Sequence, residues 1–389
     1  MKIAYITEFD VKNTDKKNWR KNQLGHWACC YYIAKYLENE QTTLQYINSF
    51  HTTNALLPKI KRRFYHQIKH KFYHFWADPV FNLDYAAQIS QKLLSLNPNI
   101  IFCPDINFIA YLNCSQPIVI WVDSTYLGYI NFYPEYSNLC QETINHLTTM
   151  DKLALKKCKM VIFSSEWAAQ NAIKNYQIEP EKVQIVPFGA NIECNRTLAD
   201  IQLILDAKSA NQCKLLFIGS DWIRKGGNVA LEVAKNLNSI GLNTQLTVVG
   251  CQPITKEPLP NFCQVIGFVD TSTMMGLNKI DRLFKESHFF ILPSQADCTP
   301  HVLAEANSFG VPCLTTDIGG IPTMIKDGLN GKIFAINSHV SEYSKYISSL
   351  MTNYSEYKEL ALSSFNEYQT RLNWSAACQT VKQILHNLN

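Results

Sequence analysis

The feature that most restricts this chain is the alternation of short apolar runs with longer segments of helical period. Runs at 2–7, 43–48, 99–103, 117–122, 160–164 and 183–186 read as strands of a first half. Those at 214–219, 244–250, 263–266, 288–292, 312–316 and 332–334 read as strands of a second. Helical periodicity fills the intervals, for example at 24–38, 83–96, 165–175, 227–240 and 300–309. Such alternation predicts parallel sheets with helices on both faces, the α/β doubly wound class, since a parallel crossover needs a dozen or more residues.

A chain of 389 residues exceeds one ordinary domain and predicts two. The break falls at "VPFGANIE", 186–193, where Pro187 and Gly189 end a strand before a weakly patterned stretch. The expected partition is a Rossmann-like domain over 1–188, a second over 189–374, and a terminal helix, 375–389, packing back on the first. Ligands in doubly wound folds sit outside the carboxyl ends of the strands, so the expected site is a cleft between the two domains.

Bulk properties narrow the classes. Hydrophobic content of 47% with 17% charged residues excludes a disordered chain, and a net charge of +4 does not argue for nucleic acid. No run approaches the roughly 18 apolar residues a membrane span needs, and the first apolar run gives way at once to polar residues, unlike a secretory signal. Thirteen cysteines include no Cys-x-x-Cys pair, so metal binding has no support and free thiols in a reducing, cytoplasmic setting are expected.

The most informative stretch is "PSQADCTPHVLAEANSFG", 293–310. Thr299 suits a helix cap, Pro300 the first helical position, and Gly310-Val311-Pro312 a stop. Asp297 then lies in the loop after a strand and Glu305 inside the helix, so two acids bracket a helix start suited to an anion. A second strand–turn–helix, "LLFIGSDWIRKGGNVALEVA", carries Gly219, Arg224 and Lys225 in a turn that fits neither a Walker loop nor Gly-x-Gly-x-x-Gly. A third puts Gly319-Gly320 in a further strand-to-helix turn.

In order, Lys225-Gly226, Pro293-Ser294, Glu305, Gly310-Val311-Pro312, Gly319-Gly320-Ile321-Pro322 and Asp327-Gly328-Leu329-Asn330-Gly331 resemble the pattern of retaining GT-B glycosyltransferases of family 4. The resemblance implies two Rossmann-like domains facing each other across a cleft. It also implies transfer of a sugar from a nucleotide-diphosphate sugar to a saccharide or lipid-linked acceptor, with no separate cofactor. By that resemblance Glu305 holds the ribose hydroxyls, Asp297 reaches the donor sugar, and Lys225 pairs with the diphosphate. Amides around Thr299, Pro300 and Gly320 complete the cradle, and Gly267-Phe268 lines the base. The sequence departs from the pattern in having Asp297 for the usual Glu, Thr299-Pro300 for Phe-Gly, and Ser220 for an Arg that Arg224 would replace. No Asp-x-Asp occurs, which disfavours the metal-dependent type.

The first half is expected to supply the acceptor face. Gly25 matches a glycine-bearing loop of the family, with His26 beside it, and Asp123 ends a strand where many relatives carry a histidine. Segment 57–76 reads as one helix with Ile60, Phe64, Ile68, Phe72 and Phe75/Trp76 along one face and six cations on the other. That pattern suits an anionic membrane surface at the inner face of the plasma membrane, the bland alternative being a stripe packed on its own domain. Two other functions stay open: a sugar- or nucleotide-binding protein without turnover, and a nucleotide-sugar epimerase of the same fold.

Overall fold

The computed structural model describes residues 1–12, 24–51 and 56–388. It divides into two compact units, Met1–Pro187 with Ala377–Asn389, and Phe188–Ala376. Each is built on a six-stranded sheet in which every pairing between named strands is parallel.

In unit 1 the strands are β1 (Lys2–Ile6), β2 (Thr43–Ile47), β3 (Ile100–Cys103), β4 (Ile118–Val122), β5 (Met160–Phe163) and β6 (Val183–Ile185), in the spatial order 2-1-3-4-5-6. In unit 2 they are β7 (Cys213–Ile218), β8 (Thr244–Val249), β9 (Cys263–Gly267), β10 (Phe289–Leu292), β11 (Cys313–Thr316) and β12 (Gly331–Phe334), in the order 12-11-10-7-8-9. All twelve expected strands form, each within one residue or so of its expected limits. Strand order reverses between β1 and β3 in one sheet and between β7 and β10 in the other. At such a switch point neighbouring loops run to opposite faces and leave a crevice beyond the strands' carboxyl ends.

Helices on both sides explain why the central strands do not alternate. All five residues of β4 (IVIWV) and all four of β10 (FFIL) are buried, as a strand covered on two faces requires. Full burial of a side chain such as Phe289 or Phe290 contributes about 2 kcal/mol, and each unit has its own cluster of such residues.

The last helix, Trp374–His386, buries Ala377, Cys378, Val381 and Leu385, and the Cys378 thiol lies 3.9 Å from the Ile33 carbonyl oxygen within unit 1.

Two local expectations are corrected. Segment 57–76 is not one helix. The helix runs Leu56–Ile68, His70 takes a left-handed φ of 50°, and Phe72 then exchanges backbone hydrogen bonds with Asn138 and Cys140. That pairing needs extended backbone at Phe72, so Phe72, Phe75 and Trp76 cannot continue the helical stripe. The helix after β10 is His301–Asn307, with Pro300 outside it as the cap residue at φ −77° and ψ 96°. Pro300 is therefore not the first helical residue, and having no side-chain oxygen it cannot cap the turn as Thr299 was expected to do.

Candidate functional site

In unit 2 Arg224, Lys225 and Asp297 come together at the switch point between β7 and β10, whereas Gly267 and Phe268 lie at the end of the edge strand β9. The loop after β7 carries Gly219, Arg224, Lys225 and Gly226, and the loop after β10 carries Asp297. Across this crevice Lys225 Nζ lies 2.5 Å from Asp297 Oδ2, with both side chains largely buried. Ser294 Oγ donates to the same carboxylate oxygen at 3.0 Å, and an Arg224 guanidinium nitrogen lies 3.9 Å from it. Arg224 also donates to the Ala296 carbonyl at 2.8 Å. Arg224 and Lys225 thus gather round the buried Asp297 carboxylate, and Asp221 Oδ1 accepts from the Arg224 backbone N–H at 2.9 Å in the same loop.

Glycines make the close approach possible. Gly226 has φ 77°, and a Cβ there would run into the Pro293 carbonyl. At Gly219 a Cβ would come within 3.0 Å of the Lys225 side chain, which packs across it. Gly319 also takes a left-handed φ, 55°. The Gly320 N–H donates to the Asp297 carbonyl oxygen at 3.1 Å, so the amide expected to face a phosphate is engaged within the loop. Thr299 is buried. Gly267 (φ 74°) ends β9, with Phe268 half-exposed after it.

Glu305 sits in the His301–Asn307 helix, half-buried, and the Asn191 backbone N–H hydrogen-bonds its carboxylate. Burial pushes its pKa up to about 7, and the Asn191 bond opposes that only in part. Behind it Asn330 Nδ2 donates to Asn307 Oδ1 at 2.8 Å and to the Met324 carbonyl at 2.9 Å, tying this helix to the Asp327–Gly331 turn.

Unit 1 places a different surface at its own switch point. A cavity of about 740 Å³ is lined from the loops after β1, β3 and β4, by Glu8, Asp105 and Asp123 among others. Asp123 accepts a hydrogen bond from the Tyr129 hydroxyl. Burial raises its pKa, against the pull of Tyr129 and His26. His26 Nε2 lies 3.0 Å from Asp105 Oδ1 and 3.9 Å from Cys30 Sγ. Burial opposes charging of His26, but Cys30 and Asp105 outweigh it and raise its pKa well above the usual value. The β4 loop is anchored by Asp151, which accepts from the Tyr126 and Leu127 N–H groups at 3.0 Å each. Gly25 lies exposed in the first turn of the Leu24–Leu37 helix, and residues 13–23 before it fall outside the described residues.

His26, Cys30 and Asp105 each offer one possible metal-ligand atom, as do Asp78, Glu142 and His146. In the second trio Lys61 Nζ already stands 2.6 Å from Glu142 and 3.5 Å from Asp78. A further cavity, about 800 Å³, lies in unit 2 at the amino ends of β7 and β10, around Lys208, Lys214 and His288. None of the predicted residues lines it.

Sequence reasoning missed the aromatic wall of the unit 1 cavity and its acids Glu8, Asp105 and Glu135. The density of aromatic residues in "TYLGYINFYPEY" was the available signal. The acids are scattered over three loops and carried none.

Residues 206–364 match the family model described as glycosyl transferases group 1. The chain is 31% identical over 169 residues to lipopolysaccharide glucosyltransferase WaaG of Escherichia coli (strain K12), covering 42% of this chain and 45% of that protein. It is 24% identical over 173 residues to UDP-Gal:alpha-D-GlcNAc-diphosphoundecaprenol alpha-1,3-galactosyltransferase of Escherichia coli, covering 42% and 44%. The matches span less than half the length of these curated relatives. Among solved structures, sucrose-phosphate synthase from Thermosynechococcus elongatus superposes with a TM-score of 0.67 at 13% identity, covering 100% of this chain and 98% of that one. Anabaena Alr3699/HepE in complex with UDP-glucose gives 0.62 at 15% identity, covering 100% of both chains.

Proposed function

We propose, from a chain whose two units have the GT-B fold and whose second unit carries a glycosyl transferases group 1 domain, that it is a retaining, metal-independent glycosyltransferase. It moves a sugar from a nucleotide-diphosphate donor to a saccharide or lipid-linked acceptor in cell-envelope polysaccharide or glycolipid synthesis. The observation that carries this reading is the meeting of Lys225, Arg224 and Asp297 at the unit 2 switch point, on the same stretch that matches the family. WaaG and the galactosyltransferase bear names of this class of reaction.

Each residue then has a chemical task. Glu305, when ionised, accepts hydrogen bonds from the ribose hydroxyls of the donor. Lys225 and Arg224 neutralise the diphosphate, whose negative charge grows as the glycosidic bond breaks, so their attraction is strongest in the transition state. Asp297 holds both cations until the donor arrives and turns its carboxylate to the donor sugar once Lys225 engages phosphate. Gly267 and Phe268 line the base. The leaving phosphate takes the acceptor proton on the face it departs from, which retains configuration without a protein nucleophile. Asp123, in the unit 1 cavity, orients the acceptor hydroxyl.

The Leu56–Ile68 helix supports contact with an anionic membrane at its cytoplasmic face. Pro58, Lys61 and Tyr65 attach it to unit 1, the latter two through Glu142 at 2.6 and 3.0 Å. Its apolar stripe points away: Leu57, Ile60, Phe64 and Ile68 are 59%, 56%, 46% and 64% exposed. Lys59, Arg62 and Arg63 are exposed beside it, each worth about 1 kcal/mol near an anionic surface. Among the described residues no helix is long and apolar enough to cross a membrane, so contact would be peripheral.

The test is a thermal-shift screen of UDP-, GDP- and ADP-sugars without added divalent metal, followed by NMR of the product anomer. A nucleotide that stabilises wild type but not Glu305→Ala, with release of nucleoside diphosphate only when acceptor is present, supports the reading. Stabilisation unchanged in that variant overturns it, and donor conversion without acceptor points to an epimerase.

A further inference from the structure

We infer that the unit 1 cavity selects an uncharged saccharide and excludes phosphorylated or carboxylated ones. That it serves the acceptor rests on the transferase reading above; the charge selection rests on the cavity itself.

Carboxylates line it, among them Asp105, Asp123 and Glu135. Among the described residues lining it there is no Lys or Arg, and its one basic side chain, His26, is held by Asp105. Arg62 stands over the Phe75 ring, 5.6 Å from its centroid, without lining the cavity. Carboxylates only accept hydrogen bonds when ionised, whereas sugar hydroxyls donate, so this lining complements a polyol. The ionised phosphate or carboxylate group of an anionic sugar has no donor to offer and meets like charge, although its remaining hydroxyls still donate.

The remaining wall is aromatic, including Phe50, Trp76, Tyr85, Phe108, Tyr126 and Tyr136. Phe50 stacks on Phe108 at 4.6 Å, and Trp76 lies 5.5 Å from Tyr126, giving broad apolar faces against which the C–H face of a pyranose can pack. Independently, Ser124 is 2% exposed, lines the cavity, and its hydroxyl has no hydrogen-bond partner. Asp105 Oδ2 is likewise unsatisfied. Buried polar atoms without partners are uncommon and costly, and a small rotation of either side chain towards the cavity would let a bound hydroxyl satisfy it. The volume, about 740 Å³, falls in the usual range for a small-molecule site.

The experiment is saturation-transfer NMR on the full chain without donor, using matched sets: glucose, glucose 6-phosphate and glucuronate; galactose, its 6-phosphate and galacturonate; N-acetylglucosamine and its 6-phosphate. A neutral sugar is expected to bind at least roughly ten-fold more tightly than its anionic counterparts at low salt, the ratio shrinking as salt rises. An Asp105→Asn/Glu135→Gln double variant should bring the ratio towards one. An anionic member binding as tightly as its neutral counterpart, or no neutral sugar binding at tens of millimolar, overturns the inference. Nucleotide stabilisation sensitive to Glu305→Ala reads the transferase assignment separately. Its loss with neutral-sugar binding intact removes the transferase reading alone, and the reverse removes only the cavity's selectivity.

Discussion

Lys225 Nζ and Asp297 Oδ2 stand 2.5 Å apart across the crevice between β7 and β10, so a cation and an anion assigned to different parts of a ligand hold each other. The pair keeps Lys225 extended over Gly219 and gives Asp297 a partner where solvent is scarce.

Removing one partner leaves the other charge buried. Lys225→Met and Asp297→Asn are each expected to cost about 3 kcal/mol in urea unfolding, with the double variant costing less than the sum. Lys225→Met should also lower kcat by two orders of magnitude or more, if Lys225 meets the leaving diphosphate. Additive losses in the double variant would show the pair to be uncoupled.

Glu305 yields a pH prediction. Its folded pKa, about 7, lies above the ordinary 4.5, so between those values the folded state holds a proton that the unfolded state has released. Its contribution to stability therefore falls as pH rises through that window. Glu305→Gln should melt higher than wild type at pH 8, and the difference should close below about pH 4.5. Nucleotide binding through the carboxylate should run oppositely, strengthening from pH 6 to pH 8 in wild type only. Paired thermal melts with and without nucleotide read both.

The Leu56–Ile68 helix offers a separable test, because its stripe is exposed and contributes little to the fold. Ile60→Ser/Phe64→Ser/Ile68→Ser should lower the melting temperature by no more than about 5 °C, since exposed substitutions rarely exceed about 0.5 kcal/mol each. The same variant should lose most flotation with phosphatidylglycerol vesicles, and wild-type flotation should weaken with salt. Undiminished flotation would place membrane contact elsewhere.

Gly226→Ala combines a left-handed backbone with a collision against the Pro293 carbonyl. A loss of at least about 2 kcal/mol and a large fall in activity are expected, because the β7 and β10 loops must separate to admit the methyl group. Gly241→Ala is the control: it shares a positive φ, 93°, but no atom lies near its Cβ, so it should cost stability and spare the site.

How much was legible depends on whether the signal was local. Each strand is a continuous apolar run bounded by polar residues, and burial on both sheet faces makes that run necessary, so all twelve could be read off the chain. The loops that carry Lys225 and Asp297, and the helix that carries Glu305, were legible because each follows a strand end marked by an apolar run. The length of the 57–76 helix was misread because periodicity says nothing of the backbone pairing that claims Phe72. Pro300 was misplaced by one position because the fixed φ of Pro fits the extended residue just before a helix as well as the first helical residue.

The chain by itself determined two parallel sheets, their strands, and the loops that carry the charged residues, since backbone hydrogen bonding and two-sided burial leave few other arrangements. Only the tertiary structure decided that Lys225 is held by Asp297, that the stripe of the Leu56–Ile68 helix faces outward, and that Glu8, Asp105, Asp123 and Glu135 share one cavity. The reason is physical: strand order sets which loops become neighbours, and strand order is a long-range property that no local spacing encodes.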